Sequence, residues 1–176
     1  TTGVTESFPV AGHAAAHKPL ILSYDPSIYN TGGGLGALVD GRRGTEDFRD
    51  GAWQAVQGED MVCTVDLGDV LLIEALETQL YLYQDAWIFM PKEVKWSIST
   101  DGLAYEDLPA QHPWGDALEP NSLQTVIPVR LEQPGMEARF VRMTLINAGP
   151  CPSWHDAATE PSWLFVDEFI VETPRQ

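Results

Sequence analysis

No apolar run in this chain of 176 residues approaches the roughly 18 residues that a membrane-spanning helix requires. Basic residues are scarce: 10 Lys and Arg stand against 26 Asp and Glu, a formal net charge of −16. A surface of that sign repels phosphate backbones and anionic headgroups, so neither nucleic acid nor membrane insertion is expected. Cysteine is nearly missing. Cys63 in "MVCTVDLG" and Cys151 in "GPCPSW" neither build a disulfide framework nor match paired zinc-ligand spacing, and two free thiols are expected. His13, His17 and His112 show no metal-ligand spacing, and the first twenty residues lack the basic head and apolar stretch of a secretion signal. "GGGLG" precedes "ALVDG" rather than a helix, which removes a phosphate cradle.

A convincing helical face is also lacking, and what replaces it is β-structure. The composition, 44% hydrophobic and 10% aromatic, is enough to bury one core of ordinary domain size. Apolar runs of strand length recur between turn signals: "KPLILSY", "MVCTVDLG", "VLLIEALETQLYLYQ", "KEVKWSISTDG", "LQTVIPVRL", "EARFVRMTLI" and "WLFVDEFIVE". In "KEVKWSIS" Val94, Trp96 and Ile98 alternate with Lys95 and Ser97, one face for a core and one for water. Asp101-Gly102 reads as the turn of a hairpin. The expected fold is all-β, a sandwich of jelly-roll type, with residues 1–17 as an N-terminal extension or linker and 18–174 as a single domain.

One segment breaks the pattern. "LVDGRRGTEDFRDGAWQAV", residues 38 to 56, places acids, arginines and three glycines between apolar anchors. It is either a solvated loop or one organised by a cation. Calcium takes six to eight oxygens, and "DGRRGT" offers the Asp40 carboxylate, two bends at Gly41 and Gly44, and the carbonyl and hydroxyl of Thr45. The spacing is not that of an EF-hand.

Taken in order, "GGLGALVDGRRGT", "GAWQAV", "CTVDLGDV", "WIFMPKEVKWSISTDG" and "WLFVDEFIVE" resemble the discoidin-like (coagulation factor 5/8 C-type) domain. Within that family they resemble the family 32 carbohydrate-binding modules, of the kind appended to bacterial family 20 glycoside hydrolases, the β-N-acetylhexosaminidases. The resemblance covers roughly residues 18 to 173. It implies an eight-stranded jelly-roll β-sandwich with a structural calcium. The implied ligands are the Asp40 and Thr45 side chains, the Leu38 and Arg42 carbonyls, and Glu168 of "FVDEFIV". Arg42 and Arg43 stand where the family commonly has small polar residues, a departure Arg42 tolerates because only its carbonyl would be used.

The resemblance also implies a glycan ligand, whose recognition needs aromatic faces against pyranose C–H surfaces and a few fixed polar groups. Loops between the expected strands hold Trp87, Trp154, His155 and Tyr29 for stacking, with Gln84, Arg49 and His155 as candidate hydroxyl partners. Phe89 and Trp163 flank strands and read as core. Catalysis is not expected: Ser153, His155 and Asp156 adjoin in "SWHDAATE", but no G-x-S-x-G elbow surrounds that serine. The expectation is therefore a non-catalytic accessory module, extracellular or periplasmic, beside a catalytic domain in the same polypeptide. A discoidin-type protein-interaction or adhesion module is the alternative.

Overall fold

The structure, a computed structural model, describes residues 12–174. Eight strands form it: β1 (Leu20–Leu22), β2 (Gln54–Gln57), β3 (Met61–Tyr83), β4 (Glu93–Ser99), β5 (Glu106–Asp107), β6 (Gln124–Ile146), β7 (Trp163–Val166) and β8 (Ile170–Glu172). Helix is confined to short 3-10 turns at Ala37–Val39 and Gln84–Ala86. All strand pairings are antiparallel.

Two pairs of expected strands are single long ones. "MVCTVDLG" and "VLLIEALETQLYLYQ" run together as β3, and "LQTVIPVRL" and "EARFVRMTLI" as β6. Their pairing slips between Asp66 and Leu71 and again between Ile73 and Ala75. Such irregularities bend a ladder, so each long strand serves both layers of the sandwich. Met61–Asp66 and Phe140–Ile146 join β1, β4 and β5 in one layer. Residues 75–83 and 124–132 join β7, β8 and β2 in the other. In that second layer β6 lies at the edge, which is where Pro128, opposite Gln79, costs no ladder bond.

The main core lies between the layers. Cys63, Val65, Val94, Trp96 and Val141 from one meet Leu76, Leu80, Leu82, Leu164 and Val166 from the other. Trp96 and Phe169 span the gap edge to face, ring centroids 5.2 Å apart. Alternation sends Tyr81, Tyr83, Trp163 and Phe165 to the opposite face of the second layer, and there the 38–56 segment covers them with Phe48 and Trp53. A layer buried on both sides explains why "TQLYLY" and "WLFV" read as unbroken apolar runs. Both cysteines are free and buried, and burial pushes the Cys63 thiol up to about 12.

Residues 13–17 pack onto the sandwich instead of trailing from it. The Ala14 N–H donates to the Val171 carbonyl at 2.8 Å, the His17 N–H to that of Val39 at 2.6 Å, and Ala15 is fully buried. The rest of the expected extension, residues 1–11, lies outside the described residues.

Candidate functional site

Three connections meet at one end of the sandwich. The first follows β3: Gln84–Ala86 make a 3-10 turn and Trp87 ends it in the left-handed region, φ 65°. The Trp87 N–H donates to the Gln84 carbonyl at 2.7 Å, and the Trp87 carbonyl accepts the Trp163 N–H at 2.8 Å. This backbone geometry is costly for a bulky side chain and persists only where surrounding bonds hold it. The second connection, residues 147–162, is closed at its neck. The Cys151 N–H donates to Glu160 at 2.7 Å and the Thr159 N–H to Cys151 at 2.9 Å. The third is the segment around Ala117–Asn121.

Side chains knit these loops together. Gln84, 2% exposed, donates through Nε2 to the Glu119 carbonyl at 2.9 Å and accepts the Asn121 N–H on Oε1 at 2.8 Å. The Trp154 indole N–H donates to the Leu118 carbonyl at 3.0 Å. His155 Nδ1 accepts the Ala157 N–H at 3.0 Å, so the ring proton sits on Nε2 and donates to the Gln84 carbonyl at 2.8 Å. Beneath them lies Phe89, fully buried, with ring centroids 6.3 Å from Trp154 and 5.7 Å from His155.

Above this platform is a cavity of about 360 Å³ lined by Asp85, Trp87, Trp154, His155 and Asp156. The structure thus brings together Trp87, Trp154 and His155 as expected from their loops. It corrects two roles. Gln84 is buried and holds two loops, so it is no hydroxyl partner, and His155 has both ring nitrogens committed to backbone, leaving its ring as a wall. The same commitment leaves no imidazole base for Ser153.

The sequence reading passed over Asp85 and weighed Asp156 only as a neighbour of Ser153 and His155. Each adjoins a candidate aromatic segment, in "QDAW" and "WHD", and that adjacency was the available signal. Among the described residues neither carboxylate has a side-chain hydrogen bond or ion pair.

Tyr29 and Arg49 lie apart from this cavity. With Asn30, Phe48, Gly51 and Trp53 they line another, of about 410 Å³. Tyr29 is 82% exposed, and the Arg49 guanidinium stacks 4.5 Å from the Phe48 ring centroid.

The segment expected to hold calcium is fastened to the turn between β7 and β8. The Phe169 N–H donates to the Leu38 carbonyl at 2.6 Å, the Gly41 N–H to Glu168 Oε1 at 2.9 Å, and the Gly44 N–H to Asp167 Oδ2 at 3.0 Å. Burial pushes the Asp167 carboxyl up to about 7 against the pull of the loop N–H groups and Arg43. Glu168 Oε1 also meets His13 Nε2 at 2.9 Å, while its Oε2 is buried without a partner. Burial foremost, opposed by the Arg42 N–H and reinforced by the Glu168 charge, raises the Asp40 carboxyl. An orphaned carboxylate oxygen with a second acid beside it, on a turn carrying the Leu38 and Arg42 carbonyls, fits a hard cation. Thr45 fits less well. Its N–H donates to Asp50, its carbonyl accepts the Trp53 indole N–H, and its hydroxyl accepts the Asp47 N–H, all within its own loop.

Comparison with known proteins bears on the fold and the family. A sequence search of the curated proteins finds no relative. Solved structures match along nearly the whole fold. Chitosan-binding module 1 of a chitosanase/glucanase from Paenibacillus sp. IK-5 superposes with a TM-score of 0.58 at 16% identity, over 92% of this chain and 98% of its own. GH31 CBM32-2, solved bound to GalNAc, gives 0.57 at 15% identity over 90% and 100%. A fucose-binding module of Streptococcus pneumoniae gives 0.54 at 16% identity over 92% and 95%. At such identities the likeness establishes the jelly-roll fold and nothing finer. The family model for the F5/8 type C domain matches residues 23–166, and the chain belongs to that family.

Proposed function

We propose that this chain is a non-catalytic carbohydrate-binding module, joined as an accessory domain to a glycoside hydrolase acting outside the cytoplasm. The observation that carries the reading is the cavity walled by Trp87, Trp154 and His155. Three aromatic rings are set there on loops that hydrogen bonds tie to one another, and such pre-organised faces suit pyranose C–H surfaces. Structural neighbours that bind chitosan, GalNAc and fucose support glycan as the ligand class. A family 20 hexosaminidase as the parent enzyme rests on the ordered motifs alone, and the surrounding open reading frame decides it.

The test is a glycan array on the isolated chain, followed by titration of a binding glycan into Trp87→Ala and Trp154→Ala. Each replacement should weaken binding about tenfold, since one aromatic contact is worth about 0.5–1.5 kcal/mol beyond its buried area. Folded variants with unchanged affinity would move the ligand elsewhere.

Structural calcium is part of the proposal. Asp40 and Glu168, with the Leu38 and Arg42 carbonyls, would hold it and tie the loop to the last strand. Bound ion should raise the melting temperature by mass action. Matching melts with calcium and with chelator, after metal analysis shows the ion gone, would remove it.

A protein-interaction role is the second reading. Ile28, Tyr29 and Leu35 are exposed at 83%, 82% and 74% on one loop, and apolar side chains so presented suit a protein surface. An empty glycan array would favour it.

A further inference from the structure

The geometry points to a cationic amino sugar, a pyranose carrying a free protonated amine, as the ligand class of the Trp87–Trp154 cavity. The inference rests on the glycan-binding reading above and narrows it.

Consider which polar atoms the cavity presents. The Trp154 indole N–H is taken by Leu118, His155 Nδ1 by Ala157, and His155 Nε2 by Gln84. Among the described residues, side-chain polarity therefore reduces to the Asp85 and Asp156 carboxylates and the Trp87 indole N–H, which makes no hydrogen bond there. Among the described residues no lysine or arginine lines the cavity. Both acids are exposed, and neither is offset by a cation in an ion pair among the described residues.

Two carboxylates at an aromatic box make a site that accepts hydrogen bonds and carries negative charge. A uronic or sialic acid meets repulsion there, deepened by the chain's net charge of −16. A neutral sugar can donate hydroxyls but draws nothing from the charge. A protonated amine gains twice, from charge-assisted hydrogen bonds to carboxylate and from the electron-rich indole faces. An acetamide at the same position loses both, because acylation removes the charge.

The experiment titrates glucosamine oligosaccharides, N-acetylglucosamine oligosaccharides of equal length and a uronic acid oligosaccharide into the whole chain. It is run near pH 6, at low and high salt, and repeated with Asp85→Asn and Asp156→Asn. Glucosamine oligomers should bind at least about tenfold tighter than their acetylated counterparts. That margin should shrink in each Asn variant and at high salt, and the uronic oligomer should not bind.

Equal affinity for the amine and acetamide forms, lowered alike by Trp87→Ala and indifferent to both Asn variants, would overturn the amino-sugar assignment and leave glycan binding intact. Silence of the whole panel, with no hit on a glycan array, would remove both. Because salt acts on the unmodified chain, the outcome does not depend on the variants folding.

Discussion

The imidazole of His155 donates its Nε2–H to the carbonyl oxygen of Gln84 at 2.8 Å, across 71 residues of sequence. That carbonyl also receives the Trp87 N–H, so one oxygen anchors both the turn that presents Trp87 and the loop that presents Trp154. His155→Ala should therefore act on two loops at once. It strands the Ala157 N–H and removes a ring packed on Phe89, an expected loss of about 1–3 kcal/mol. For a domain of this size that lowers the melting temperature by about 2–4 °C per kcal/mol. Glycan affinity should fall too, although the imidazole offers no free nitrogen to a sugar. Unchanged melting and affinity together would show that the two loops hold position without this bond.

Trp87 sits at φ 65°, where a side-chain Cβ is disfavoured and glycine is not. The expected consequence is an inversion: Trp87→Gly should melt at or above Trp87→Ala, by up to about 1 kcal/mol, despite glycine's greater freedom when unfolded. Both should lose the ligand. Calorimetry of the pair checks this, and a lower melting point for the glycine variant would show that the turn relaxes out of the left-handed region.

A methyl group on Gly44 would come within 2.2 Å of the Trp53 ring. That indole is 1% exposed and its N–H is tied to the Thr45 carbonyl at 3.0 Å, so it has nowhere to go. Gly44→Ala should cost about 1–3 kcal/mol as an overpacking change and loosen the loop over Tyr81 and Phe165. Gly115→Ala is the control, because nothing lies within 4 Å of its added carbon. Chemical denaturation of both should separate them.

Asp66 gives the chain an acid-side dependence. The Arg139 guanidinium holds it bidentately at 2.8 and 2.9 Å and pulls its carboxyl down to about 2, below the usual 3.9 or so of an unfolded chain. The stabilisation it contributes is fully present above about pH 4 and fades as pH falls toward 2, because the unfolded state then binds the proton first. The melting-temperature gap between the parent chain and Asp66→Asn should narrow across that window and stay level from pH 5 upward. A gap that widened on acidification would contradict the sign.

Strand character was legible in single residues. Val94, Trp96 and Ile98 turn inward as their alternation requires, and Asp101-Gly102 makes its turn because Gly102, at φ 76°, accommodates it. The aromatic loops were legible as well: Trp87 and Trp154 were expected in loops between strands, and the structure sets both loops around one cavity. Composition set the net charge of −16. Such properties are local or additive, so a linear chain displays them.

What the tertiary structure decided depends on groups far apart in sequence. Gln84 and His155 looked like ligand contacts, and only the approach of three loops shows that their polar atoms are already committed to backbone. Asp85 and Asp156 were given no ligand role by the sequence, and only the cavity shows them as its unpaired charges. The 38–56 segment, read as a solvated or cation-held loop, covers a sheet face with Phe48 and Trp53. Its glycines and acids obscured the two aromatics between them, because a loop has no side-chain period and which face it covers is set by the layer beneath it.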